Sequence, residues 1–176
     1  AGDARDVLVG STIDGLPIGG HVATGSIRRK AQLASLRPDL VFSGLRGNIA
    51  TRLEKAAGFD AIVMAAAAIE RLGISMNDRV VQVLEPSVML PQVAQGALVL
   101  ECGVDDSSTL SLLAAIDHGP SRVCVDAERA FLAELGGIGV GQFLGHARGR
   151  LAWCIGGQHG GACADGQFTC AFLVGQ

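Results

Sequence analysis

The first half of the chain alternates short apolar runs with longer stretches whose residues favour helices. Four apolar runs have the length of β-strands: residues 6–9, 21–23, 40–45 and 61–64. A predicted helix follows each of the last three runs after a short loop. Strands and helices in such alternation are typical of a mostly parallel sheet flanked by helices. We therefore predict an α/β fold for this part of the chain.

Cap and breaker residues set the ends of the predicted helices. Ser26 is suited to cap a helix that runs to about Leu36, where the sequence Arg37-Pro38 ends it. A second helix is predicted near residues 49–57 and a third over residues 65–72. Each of the two is followed by a glycine, the residue that most often ends a helix.

Composition and charge exclude several classes of protein. The 176 residues are 49% hydrophobic and carry a formal net charge of −3, which suits a globular protein with a large core. The negative charge argues against binding to nucleic acid by bulk electrostatics. No apolar run approaches the ~20 residues of a membrane span. We expect a cytoplasmic protein that binds neither nucleic acid nor a membrane.

Arginines cluster where predicted strands turn into helices. Arg28 and Arg29 follow one strand, Arg46 follows the next, and Arg52 lies one turn into the helix after it. In parallel sheets such junctions share one edge, and ligands bind there. Guanidinium groups bind carboxylates and phosphates through paired hydrogen bonds. The pattern predicts a site for a ligand with several such groups, although each arginine alone also fits a solvated surface position.

Short motifs occur in a fixed order over residues 4–137. They are Ala4-Arg5-Asp6, Thr24-Gly25-Ser26-Ile27-Arg28-Arg29, Leu45-Arg46-Gly47-Asn48 with 51–53, and residues 59–63, 71–73, 90–91, 95–97 and 127–130. In this order and spacing they resemble the porphobilinogen deaminase (hydroxymethylbilane synthase) family. The resemblance implies a monomeric transferase of heme biosynthesis. Its dipyrromethane cofactor, bound covalently to a cysteine, is extended by porphobilinogen units with loss of ammonia.

The resemblance also implies which residues bind the acetate and propionate carboxylates of the cofactor and of the linear pyrrole intermediates. These residues are Thr24, Ser26, Arg28, Arg29, Arg46, Arg52 and Arg71. Topology alone does not place Arg71 at the shared edge, because it lies at the far end of the third helix. Gly25 stands where the family often has serine, so one hydroxyl is missing.

The same resemblance assigns the chain to parts of the three family domains, as a fragment. The predicted segments are 1–16 (end of domain 1), 17–88 (domain 2, a lobe like those of periplasmic binding proteins), 89–116 (a return into domain 1) and 117–176 (a partial, divergent α+β domain 3). Residues 14–17 and 86–91 have the composition of paired hinges between domains.

Two departures from the family pattern bear on activity. The catalytic aspartate of the family belongs to a motif expected upstream of residue 1, and Ile138 stands where the family has the cysteine that carries the cofactor. We expect Asp6, Asp60 and the pair Asp105-Asp106 to be caps or turn residues, not substitutes. No turnover is therefore expected from this chain alone. The alternative function is a non-catalytic carboxylate-binding module of the same fold.

The cysteines and histidines are interpreted as structural. One group has the ligand types of a zinc site but not its spacing, so no metal is predicted: Cys154, His159, Cys163 and Cys170. Cofactor attachment to Cys154 or Cys163 stays an alternative. Cys102 and Cys124 are assigned to core strands. Three histidines are assigned to surface or loop positions: His21, His118 and His146.

Overall fold

The computed structural model describes residues 2–103 and 105–134, together with the backbone of residues 168–173. The described residues belong to two units. One unit contains residues 2–96, and the other contains the described residues from 97 onward.

The first unit contains the alternating elements that the apolar pattern predicts. Its strands are β1 (Asp6–Val9), β2 (His21–Ala23), β3 (Val41–Ser43), β4 (Ala61–Ala65) and β5 (Val81–Leu84). Its helices are α1 (Ile27–Leu36), α2 (Ile49–Lys55), which a short 3-10 turn extends, and α3 (Ala66–Arg71). The α/β class is therefore confirmed, and β5 is a strand that the pattern did not predict.

The strands of this unit form one sheet in the order β3-β2-β4-β1-β5. β2 is parallel to β3 and β4, whereas β1 is antiparallel to β4 and β5. The sheet is mixed, so the mostly parallel sheet expected from the alternation is not what forms. The reason is that no helix separates β1 from β2, and a parallel connection needs such a crossover. As a result, β1 begins at the edge where β2, β3 and β4 end.

Helices cover both faces of this sheet. Successive residues of β1 point to opposite faces, so Val7 and Val9 belong to one buried cluster and Leu8 to the other. Leu33 of α1 packs in the cluster that contains Leu8. Residues of α2 and α3 pack in the cluster that contains Val7, Val9 and Leu53. The central strands are therefore held between two apolar layers, as expected for an α/β sheet.

Both segments predicted as hinges are hydrogen-bonded to α1 or to the residue after it. The guanidinium of Arg37 donates to the carbonyl oxygens of Ile13 at 2.7 Å and Pro17 at 3.2 Å. The side chain of Gln32 accepts from the backbone N–H of Leu90 at 2.7 Å and donates to its carbonyl at 3.1 Å. The hinges and the domain boundaries stay predictions. β1, from the predicted end of domain 1, shares its sheet with strands of the predicted domain 2.

The second unit has a different arrangement. Its strands β6 (Leu98–Gly103) and β7 (Phe168–Leu173) are antiparallel, and its helices are α4 (Ser107–Ile116) and α5 (Gly119–Glu134). Asp106 caps α4 by accepting from the backbone N–H of Thr109 at 3.0 Å, which is the role expected for it. No helix in the described ranges is long and apolar enough to cross a membrane.

The two cysteines that were assigned to core strands differ in their surroundings. Cys102 lies in β6 and is half-buried. Cys124 lies in α5 and is exposed, so its assignment was wrong. The apolar alternation around Cys124 is too short to distinguish a strand from a helix, and the long helix that contains it decides. Cys154, His159, Cys163, Ile138 and His146 lie outside the described residues, as does the side chain of Cys170.

Because β1 is a central strand, we predict that Leu8→Ala strongly lowers the stability of the first unit. Leu8 has no exposed surface, and its truncation leaves a cavity that the two layers cannot fill. We expect a loss of about 3 kcal/mol in the free energy of unfolding, measured by urea titration. Val41→Ala is the control, because Val41 lies on an edge strand and is 54% exposed. Equal losses from the two variants would contradict the two-layer core.

Candidate functional site

The candidate site lies where β2 and β3 end and α1 begins. The two strands are parallel neighbours, so their carboxyl ends meet at one edge of the sheet. A cavity of about 240 Å³ opens there. Its polar lining consists of Thr24, Ser26, Lys30, Ser43 and Arg46.

The loop before α1 is built by hydroxyl groups. Thr24 Oγ1 accepts from the backbone N–H of Ser26 at 3.2 Å. Ser26 is the N-cap of α1, and its Oγ accepts from the N–H of Arg29 at 3.4 Å. The start of α1, where a helix is partly positive, therefore lies at the cavity. Both hydroxyls act as acceptors in the loop and keep a hydrogen to donate to a ligand.

Glycines occur in two of the loops at this edge of the sheet. A Cβ atom at Gly25 would lie 2.8 Å from the carbonyl oxygen of Leu45, so the loops after β2 and β3 approach each other too closely for a side chain. Gly47 has a φ of +126° in the turn before α2, a conformation that favours glycine.

The side chains of Arg28 and Arg29 are held by Asp6. Arg28 Nη2 lies 2.7 Å from Asp6 Oδ2. Arg29 donates to Asp6 Oδ1 from Nε at 3.1 Å and from Nη2 at 2.8 Å. Gln95 Nε2 also donates to Asp6 Oδ1, at 2.8 Å. The carboxylate of Asp6 has no exposed surface and is compensated by two guanidinium groups and an amide.

Asp6 is therefore neither a cap nor a turn residue, and that expectation was wrong. The antiparallel direction of β1 places its first residue at the edge where α1 begins, which local sequence does not reveal. The Arg28 side chain is 4% exposed and donates to the carbonyl of Leu90 as well. Burial lowers the pKa of the Arg28 guanidinium, and the charge and hydrogen bond of Asp6 oppose that shift. Its buried Nε has no partner among the described residues.

The other predicted arginines lie in three different environments. Arg46 is exposed, lines the cavity, and forms no ion pair within the part of the chain that the structure describes. Arg52 Nε donates to the carbonyl of Gly47 at 2.8 Å, which braces the turn before α2. Arg71 is exposed at the end of α3 and is not one of the residues that line the cavity.

The structure thus brings three predicted residues, Thr24, Ser26 and Arg46, to one cavity, and directs Arg28 and Arg29 to Asp6. Sequence reasoning missed Lys30 and Ser43. The signal for Lys30 is its spacing, since it lies one helical turn after Ser26 and so on the same side of α1.

The two described histidines have different positions. His21 is the half-buried first residue of β2, with Nε2 2.6 Å from Ser43 Oγ and its ring edge-on to Phe59, so its surface assignment was wrong. The strand pairing of β2 with β3 brings it to Ser43. His118 is exposed before α5, as expected.

Comparison with known proteins identifies the family. The family model described as "Porphobilinogen deaminase, dipyromethane cofactor binding domain" matches residues 1–111. The chain belongs to the porphobilinogen deaminase family. Porphobilinogen deaminases from Brevibacillus brevis and Shouchella clausii are 47% and 49% identical to it over 140 residues, which are 77% of this chain and 45% of each relative. A third, from Stenotrophomonas maltophilia, is 47% identical over 129 residues, 72% of this chain and 42% of the relative.

The chain therefore spans less than half the length of the porphobilinogen deaminases that it matches. The donor set at its cavity fits the carboxylates of a dipyrromethane, because cationic side chains, hydroxyl groups and a helix start face one space. No cysteine is among the residues that line this cavity in the described part of the chain. The fit thus concerns the carboxylate groups and not the covalent attachment.

The buried carboxylate predicts a large effect of Asp6→Asn on stability. The change leaves Arg28 buried without its counter-charge, and we expect a loss of about 3–5 kcal/mol in the free energy of unfolding, measured by urea titration. Asp39→Asn is the matched control, because Asp39 forms an ion pair with Arg37 at 2.7 Å on the exposed surface. If the control loses as much stability as Asp6→Asn, the buried network does not hold the unit together.

Proposed function

We propose that this chain is part of a transferase that condenses four porphobilinogen units into hydroxymethylbilane with release of ammonia. Membership of the porphobilinogen deaminase family supports this proposal. The observation that carries it is the cavity at the sheet edge, which Arg46 and the start of α1 both line. A pyrrole that bears acetate and propionate groups presents the anions that such a site attracts.

Each proposed site residue has a distinct task. Arg46 binds a ligand carboxylate directly, with the hydroxyls of Thr24 and Ser26 as further donors. Arg28 and Arg29 hold the start of α1 in place through Asp6, and their largely buried side chains support the site from inside the protein. Arg52 braces the turn that carries Arg46.

Arg71 is proposed as a further carboxylate contact at the exposed end of α3. When bound, the dipyrromethane supplies the pyrrole end that porphobilinogen units extend. The monomeric state and the cytoplasmic location stay predictions.

Ile138 favours a second candidate function. Isoleucine has no thiol with which to form the thioether that would hold the cofactor, so the 176 residues alone are proposed to bind carboxylates without turnover. In this reading the chain is a carboxylate-binding module, and the reaction depends on residues of the family that it does not match.

Binding of porphobilinogen tests the role of Arg46. We expect Arg46→Gln to weaken the binding measured by calorimetry about 10-fold, because one charge-assisted contact to a carboxylate is lost. Arg79→Gln is the charge-matched control, since Arg79 is exposed, donates to the carbonyl of Leu53, and does not line the cavity. If the unaltered chain does not bind porphobilinogen, the proposed function fails.

Intact mass distinguishes the two candidate functions. Mass spectrometry of the denatured chain, combined with Ehrlich's reagent, detects a covalently bound dipyrromethane. We expect the mass of the bare polypeptide and no colour, because Ile138 replaces the cysteine of the family. A mass increase that maps to Cys154 or Cys163 would contradict this expectation and support attachment at a new position.

A further inference from the structure

The cationic side chains near the cavity fall into two groups. Arg28 and Arg29 are largely buried against Asp6, and Arg52 and Lys55 are hydrogen-bonded to backbone carbonyls. Arg46 and Lys30 remain, and both line the cavity. Neither has an ion-pair partner within 4.0 Å among the residues that the structure describes. Among the residues that the structure describes, the cationic side chains that line the cavity are therefore Arg46 and Lys30.

Lys30 lies in the second turn of α1, and the backbone fixes its position. Its backbone N–H donates to the carbonyl of the capping residue Ser26 at 3.0 Å. Lys30 therefore lies one helical turn after Ser26, on the same side of α1. Its ammonium nitrogen lies 6.0 Å from the centre of the Phe42 ring, which also lines the cavity. An aromatic face at this distance attracts a cation without neutralising it. Phe42 therefore holds the ammonium group near the cavity and leaves its charge available.

The two cationic side chains that line the cavity come from different elements. Lys30 belongs to α1, and Arg46 belongs to the turn between β3 and α2. A ligand between them meets positive charge from two directions, which suits a molecule that carries two separate carboxylates. Acetate and propionate groups on one pyrrole ring have this arrangement. The ammonium group is a compact charge on a flexible stem and adjusts to either carboxylate.

We propose that Lys30 binds one carboxylate of the pyrrole ligand while Arg46 binds the other. The proposal rests on the proposed function for the identity of the ligand, but not for the presence of a dicarboxylate site. Lys30 is a binding residue here and takes no part in bond formation. The motif of residues 24–29 ends just before Lys30, and none of the other motifs that carry the family resemblance includes it.

The chain contains two lysines, Lys30 and Lys55, which makes chemical labelling a sharp test. N-hydroxysuccinimidyl acetate is added with and without ligand, and acetylation of each lysine is followed by peptide mass spectrometry. Lys55 is exposed and does not line the cavity, and its ammonium donates to the backbone carbonyl of Arg46 at 3.3 Å, so it serves as the internal reference for a lysine beside the site but outside its lining. We expect porphobilinogen and glutarate, a dicarboxylate without a pyrrole, each to slow acetylation of Lys30 relative to Lys55. If the ratio of the Lys30 and Lys55 acetylation rates is unchanged by either ligand, the proposal is overturned.

Variants give a second, independent readout. We expect Lys30→Gln to weaken the binding of glutarate and of porphobilinogen about 3- to 10-fold, with a smaller loss at high salt because the contact is exposed. Lys30→Arg retains the charge and should restore most of the affinity. Arg79→Gln again controls for the change in net charge. An unchanged affinity in Lys30→Gln would overturn the role of Lys30 even if Arg46→Gln weakens binding.

The two probes separate this inference from the proposed function. If glutarate protects Lys30 and porphobilinogen does not bind, Lys30 is a carboxylate contact and the proposed function fails. If porphobilinogen binds through Arg46 without protection of Lys30, the proposed function stands and the inference about Lys30 fails. If neither probe binds, both are wrong.

Discussion

The buried carboxylate of Asp6 is the interaction on which the rest of the first unit depends. A charge with no exposed surface is tolerated only when partners compensate it, and here Arg28, Arg29 and Gln95 do so. These contacts join the start of β1 to the first turn of α1 and to the segment before residue 97. They hold the first turn of α1 against the sheet, and so they help to position Ser26 and Lys30 at the cavity.

The cationic residues near the cavity have two different roles, which depend on whether their side chains are buried or exposed. Arg28 and Arg29 adjoin each other in the sequence, yet both are used inside the protein, where their loss would leave a buried carboxylate uncompensated. Arg46 and Lys30 are exposed at the edge of the sheet and keep their charge for a ligand. A family motif rich in arginine therefore combines a structural ion pair with a binding surface. The start of α1 is where the two meet.

Family membership and local geometry support the same type of ligand. The matched family model covers residues 1–111, which include the whole of the first unit and its cavity. The donors at the cavity suit carboxylates, and the pyrroles of this family carry them. What the chain does with such a ligand depends on the covalent attachment, and Ile138 is the residue that sets this sequence apart from the family pattern.

The sequence by itself determined the elements from β2 to α3, the N-cap Ser26, the family, and the presence of a cationic edge. These features depend on residues within about one helical turn of each other, or on short motifs. The tertiary structure alone decided the direction of β1, the burial of Asp6, and the use of Arg28 and Arg29 inside the protein. It also brought Phe42 and Lys30 to one cavity. The reason is that strand order joins residues far apart in the chain, and local periodicity carries no information about that order.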